Sequence, residues 1–180
     1  MICPICWREN EEDWPLRMPD GSIRDGGCQD CWERQSSQEW WEAMGAPTRP
    51  KGLLYLAGPY SHPDPAIREW RFDAACRATA RLMTYGLLVF SPVAHSHPLT
   101  RYGLPGDWQF WQRYDREYLA ACGAVAVLTL PGWHRSKGVT AELEIARELG
   151  LPRYMAEPRL LGIDTESAPA AGTGAERGKA

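Results

Sequence analysis

No run of apolar residues in this chain approaches the roughly 20 positions that a bilayer-spanning helix needs, and no basic stretch leads into an apolar one near the first residue, as a secretory leader would. A cytoplasmic protein without a membrane partner is therefore expected. Positive charge is not in excess either: 20 Lys and Arg stand against 23 Asp and Glu, for a net charge of -3. That balance excludes a globally basic nucleic-acid coat and leaves room only for a local patch. There is no internal repeat, which removes solenoids and propellers. What is present is 180 residues, 44% of them hydrophobic, enough for one domain with a true core and a small appended module.

Cysteine is sparse, but four of the 6 residues form two CxxC pairs, Cys3 with Cys6 and Cys28 with Cys31. Structural disulfides are rare in a reducing compartment, and a two-residue gap suits two thiolates converging on one metal. Residues 1–32 are rich in turn formers and charge and have little apolar periodicity. A segment that short needs a metal or cross-links to fold. A structural zinc bound by Cys3, Cys6, Cys28 and Cys31 is expected, in a zinc-ribbon-like module over 1–45 that includes a short helix. Four thiolates close the coordination shell, so no catalytic role is expected of that zinc. The module would then serve as a binding surface for a nucleic acid or protein partner. Cys76 and Cys122 lie in apolar surroundings and are read as small core residues.

After a linker over 46–52, which ends a stretch broken by Gly45, Pro47 and Pro50, the pattern alternates. LLYLA at 53–57 is a buried strand running into Gly58 and Pro59. Asp64 then caps a helix with Pro65 at its first position, and Ile67, Ala74, Ala75, Ala78, Leu82 and Met83 keep helical spacing up to Gly86. LLVF at 87–90 repeats the strand pattern, which gives a right-handed βαβ unit. A helix over 107–121, a strand at 124–130, a helix over 139–149 stopped by Gly150, and a short strand at 153–155 complete the order. The expected fold is α/β: a Rossmann-like (flavodoxin-like) parallel sheet with helices on both faces, over 53–160, with the zinc module before it and a disordered tail over 161–180.

Ligands of open α/β sheets bind beyond the carboxyl ends of the strands, and this sequence concentrates its polar residues there. The first strand exits through Gly58, Pro59 and Tyr60, the second through Ser91, His95 and His97, the third through Trp133, Ser136 and Gly138. SKGV opens a helix, so it points N–H groups and Ser136 at an anion such as phosphate. Glu142 follows, and a carboxylate close to a helix N-terminus is expected to be ionised. By residue type alone, Glu142 and Glu144 could equally decorate a helix start. His95 and His97, with His62 and His134 on the other loops, form a possible ligand set for phosphate or metal, and loop histidines without a ligand remain the alternative. Trp108 and Trp111 read as core on an amphipathic helix, while Trp133 on a loop is the candidate for stacking on a base.

YLAGPY at 55–60 and SKGVTAELEIARELG at 136–150 together resemble the nucleoside 2-deoxyribosyltransferase superfamily, in particular a bacterial and phage branch of it. The similarity runs from residue 54 to about 158. It implies an enzyme, an N-glycosidase or 2-deoxyribosyltransferase acting on a nucleoside or nucleotide through a covalent glycosyl-glutamate. Glu142 would be the nucleophile at C1′ and Asp115 would assist the departing base. Tyr55 and Gly58 would line the sugar site, and Ser136 and Gly138 would meet a 5′-hydroxyl or phosphate. By residue type, Tyr55 or Tyr60 could hold Glu142 by a hydrogen bond, and simple packing of a tyrosine at a strand end is the alternative. The resemblance also implies at least a dimer, and no organic cofactor. Gly123 and Ala124 stand where many members carry an aspartate, and no acidic residue follows the third strand. With a carboxy terminus that reads as a tail, hydrolysis is favoured over transfer. The alternative is a nucleotide sensor without turnover, with the zinc segment engaging nucleic acid or protein.

Overall fold

The computed structural model describes residues 52–169 and, ahead of them, a short antiparallel ladder between Leu16–Arg17 (β1) and Ile23–Arg24 (β2). The four cysteines expected to bind zinc lie outside the described residues. The main sheet has four parallel strands: β3 (Leu53–Ala57), β4 (Leu88–Phe90), β5 (Ala124–Leu128) and β6 (Arg153–Ala156), in the order β4-β3-β5-β6. Four α-helices cover it: α1 (Pro65–Thr84), α2 (Pro92–Thr100), α3 (Trp108–Ala120) and α4 (Lys137–Glu148). Among the described residues no helix is long and apolar enough to cross a membrane.

The period-two alternation of the strands decides which side chain meets which layer. Leu54, Leu56, Ala124, Ala126 and Leu128 enter one core with Ala74, Ala78 and Leu82 of α1. Tyr55, Ala57, Val125 and Val127 enter the other with Leu119 of α3 and with Val139, Ile145 and Ala146 of α4. Both faces of β5 are buried throughout, as its unbroken apolar run requires. Small residues on α1 let that helix lie close to the sheet, and truncating a fully buried leucine such as Leu56 or Leu82 should cost about 2–5 kcal/mol.

The cap expected at Asp64 is in place, and Asp107 and Ser136 cap two further helices. Asp64 Oδ1 accepts from the amide of Ala66 at 2.9 Å, Asp107 Oδ1 from that of Phe110 at 3.1 Å, and Ser136 Oγ from that of Val139 at 3.4 Å.

The structure differs from expectation at three places. Met83 ends α1 exposed rather than in the core. Residues 92–100 form α2 rather than a loop, with Pro92 in its first turn and Ser91 as its cap. Beyond residue 160, Leu161 and Ile163 are buried against α1 and belong to the domain, which therefore continues past the expected boundary.

Candidate active site

Strand order reverses direction at β3, which has β4 on one side and β5 on the other. The loops leaving these three strands diverge there and open a crevice at the carboxyl edge. A pocket of about 360 Å³ fills it. Gly58 and Tyr60 after β3, Val93 and Ser96 on α2, and Arg135 to Gly138 at the start of α4 form three of its sides. Helix α3 closes the fourth with Trp108, Trp111 and Asp115, residues spaced three and four apart on one face.

Glu142 and Asp115 both line this pocket and both are buried, each with 4% of its surface exposed. Tyr55, fully buried in β3, donates its hydroxyl to Glu142 Oε1 at 2.8 Å, so of the two tyrosines expected to hold that carboxylate it is Tyr55 that does. The other carboxylate oxygen, Oε2, is buried without a hydrogen-bond partner among the described residues. A buried carboxylate oxygen that no protein group meets is free to accept from a ligand in the pocket.

The electrostatics correct the expectation that Glu142 is simply ionised. Burial, and then the charge of Asp115, push its carboxyl up from 4.5 to about 8, and the Tyr55 hydrogen bond only partly opposes this. The helix start does not compensate, because Glu142 is the sixth residue of α4 and the dipole effect fades within the first turn. Asp115 is raised to about 6 by burial, opposed by Tyr55. Between these values the pair holds one proton. Tyr55 itself is held well above its ordinary value by burial and by the two carboxyls, so it remains a donor.

Gly58, Tyr60, Ser136 and Gly138 line the pocket as expected from the sequence. Pro59 is fully buried directly between Gly58 and Tyr60. At Gly138 an added Cβ would come no closer than 3.7 Å to Trp108, so packing alone does not demand glycine there. Other expected residues lie elsewhere. Ser91 is buried, with its hydroxyl accepting from the Ala94 amide at 3.4 Å. His95 and His97 ride on a helix, not a strand, so they point about 200° apart and neither lines the pocket. Among the described residues no group of three or more His, Cys, Asp or Glu side chains could hold a metal ion, so the four histidines do not gather. Trp108 and Trp133 both pack against the α4 core, as expected of Trp108, and Trp108 also lines the pocket with Trp111, which was expected in the core. Sequence reasoning also passed over Arg135 and Val93. Their signal was position alone, within loops already marked as functional.

Residues 52–157 match the model of DUF1937, a domain of unknown function. That is more than half of the 180 residues. The chain belongs to the DUF1937 family. No curated protein matches it. The family description assigns no chemistry, and in this DUF1937 domain it is the pocket that gathers the polar and ionisable side chains. The two cysteines in the described residues do not line the pocket: Cys76 and Cys122 are free thiols, and burial pushes Cys122 up to about 11.

Proposed function

We propose that this domain cleaves or transfers the N-glycosidic bond of a (deoxy)nucleoside or its 5′-monophosphate, through a covalent glycosyl-Glu142 intermediate. The observation that carries the reading is the pair of buried carboxyls in one pocket, with Glu142 held through Oε1 by Tyr55 and unpartnered at Oε2. Departure of a base from C1′ develops oxocarbenium character, which calls for a carboxylate beside C1′ and a proton for the base. A pair that holds one proton supplies both. Tyr55 donates to Glu142 Oε1 and so supports the charge there. Between about 6 and about 8, however, the shared proton rests on the more strongly raised Glu142. The form that reacts, with the charge on Glu142 and the proton on Asp115, is the minor one of the pair.

In the first step the C1′–N bond breaks with its electrons going to the base, which takes the Asp115 proton, while a Glu142 oxygen forms the bond to C1′. In the second, water attacks C1′, gives a proton to Asp115, and releases Glu142 as carboxylate. A second base in place of water makes the reaction a transfer. The aromatic wall of Trp108 and Trp111 suits a stacked base. Arg135, Ser136 and Lys137 at the head of α4 suit a 5′-phosphate.

Incubation with a panel of nucleosides and 5′-monophosphates, followed by chromatography for free base, tests the proposal. Release of a base by the parent and its loss by about a thousandfold or more in Glu142→Ala, with melting unchanged within a few degrees, is the expected result. Binding without any release would leave the domain a nucleotide sensor.

A further inference from the structure

Behind the wall that Tyr60 gives the pocket lies a chain of polar contacts that the glycosidic chemistry does not use. His97 of α2 is buried, with 7% of its surface exposed. Its ring lies flat on Phe72 of α1, with centroids 4.0 Å apart and planes 15° from parallel. Both ring nitrogens are engaged. Nε2 stands 3.1 Å from Glu69 Oε2 and Nδ1 stands 2.9 Å from the Tyr60 hydroxyl. The second Glu69 oxygen is 3.8 Å from the Arg101 guanidinium. The stacked ring and three polar contacts thus fix an orientation that runs from solvent at Glu69 to the pocket at Tyr60.

What each atom can do assigns the protons. A carboxylate only accepts, so Nε2 carries the hydrogen; in the neutral imidazole Nδ1 is then the acceptor, and the Tyr60 hydroxyl donates to it. Tyr60 keeps that proton, since burial, with Glu69 adding and Arg68 opposing, raises it above its ordinary value. An ordinary tyrosine at a pocket wall rotates its hydroxyl to donate or accept as the ligand requires. Here the proton is committed away from the pocket, and the lone pairs of the oxygen are what remain for a ligand.

We propose that Glu69 and His97 act as positioning residues that make Tyr60 a fixed hydrogen-bond acceptor in the pocket, so that the site selects ligands presenting a hydroxyl or N–H donor at that point. The inference rests on the pocket being the nucleoside site proposed above. The recognised chemistry is a donor, and on a nucleoside it comes from the 2′-hydroxyl of the sugar or from the exocyclic amine of the base.

Two measurements test it, and they fail separately. In ¹⁵N-histidine spectra of the full chain, taken with the ring neutral, His97 should show a bare Nδ1 and a protonated Nε2, and Glu69→Ala should lose that single tautomer. A protonated Nδ1 in the parent overturns the relay whatever the domain catalyses. In binding titrations, a ribonucleoside is compared with its 2′-deoxy counterpart, and a 6-amino purine nucleoside with its 6-oxo counterpart. Tyr60→Phe should weaken the donor-bearing member of one pair by about tenfold, the worth of one neutral hydrogen bond, and leave its counterpart within twofold. Which pair responds names the donor. His97→Leu should reproduce that loss, and His97→Gln, whose side-chain carbonyl still accepts from Tyr60, should recover part of it. Equal weakening of both members, or of neither, overturns the selection role. If the parent binds no nucleoside at all, the proposed function falls with the ligand half of the inference, and the tautomer still decides the relay.

Discussion

Replacing Glu142 by glutamine should make the protein more stable in alkaline solution than its parent. In the fold the Glu142 carboxyl is raised from 4.5 to about 8, first by burial and then by Asp115. A raised carboxyl binds its proton more tightly folded than unfolded. The stability this represents is fully present below 4.5 and is lost as pH rises through about 8. At 1.36 kcal/mol for each pH unit, that interval corresponds to about 5 kcal/mol, an upper figure because part of it belongs to the coupled Asp115. Glutamine has nearly the same shape, its amide oxygen can still accept from Tyr55, and it has no charge to desolvate. Urea unfolding of parent and Glu142→Gln across that pH range is the assay. The two should agree within about 1 kcal/mol at the acid end, and the variant should lead by about 2–5 kcal/mol at the alkaline end. A difference that does not change with pH would refute the claim that the fold resists charge at this position. Turnover in the same variant should fall by about a thousandfold, a trade of function against stability of the kind buried catalytic carboxyls impose.

The pH profile of kcat/KM should be a bell, with limbs near about 6 and about 8 that belong to the pair, and Asp115→Asn should remove the alkaline limb from whatever activity is left. A profile flat across that interval would show that the two carboxyls do not act together. Glu144, exposed and about 200° around α4 from Glu142, should tolerate alanine with turnover unchanged within about twofold. If it does not, the nucleophile has been misassigned. A deoxynucleoside 5′-monophosphate should be used better than the deoxynucleoside, with the advantage shrinking in Arg135→Ala and Lys137→Ala. Equal use of both compounds would assign the head of α4 to a 5′-hydroxyl. Metal analysis should find about one zinc per chain, absent after Cys28 and Cys31 are changed to serine, and zinc retained in that variant would refute the four-thiolate site.

Much of the domain was legible because its signals are local. Apolar runs ending in Gly58-Pro59 or Ser91-Pro92 marked strands, and Asp64 before Pro65 marked a helix start with the hydrogen bond that a cap makes. Helix α2 was not legible, since prolines stand at 92 and 98 within a stretch of nine residues. Pro92 falls in the first turn, where its missing N–H has no partner to lose, and Pro98 forgoes a bond to Ala94 late in the helix. That one miss carried His95 and His97 with it, because their directions depend on whether the backbone repeats every 2 or every 3.6 residues. Glu142, Asp115 and Tyr55 were singled out by motif, and the structure places Glu142 and Asp115 in one pocket with Tyr55 hydrogen-bonded to Glu142. The charge on Glu142 was not found, because it depends on what α3 and β3 bring against it, and desolvation is a property of the assembled layers. Trp108 and Trp111 share a helix face with Asp115, and that spacing was the overlooked sign that they belong to the pocket.

Arg71 reaches from α1 across the crevice edge. Its guanidinium donates to the carbonyls of Tyr60 at 3.4 Å, Ser61 at 2.9 Å and Pro131 at 3.2 Å, so one side chain ties the loop after β3 to the loop after β5. Arginine meets these carbonyls from two nitrogens of one planar fork, Nη1 on the first loop and Nη2 on the second, where a lysine would offer a single nitrogen. The walls on either side of the switch point are therefore set before any ligand arrives, and little ordering entropy is left for binding to supply. Ligand capture by such a rim is governed by encounter and by charge at the mouth rather than by closure of a loop. Association rates should accordingly respond to salt and viscosity, and show no saturation with ligand concentration of the kind a slow closing step produces.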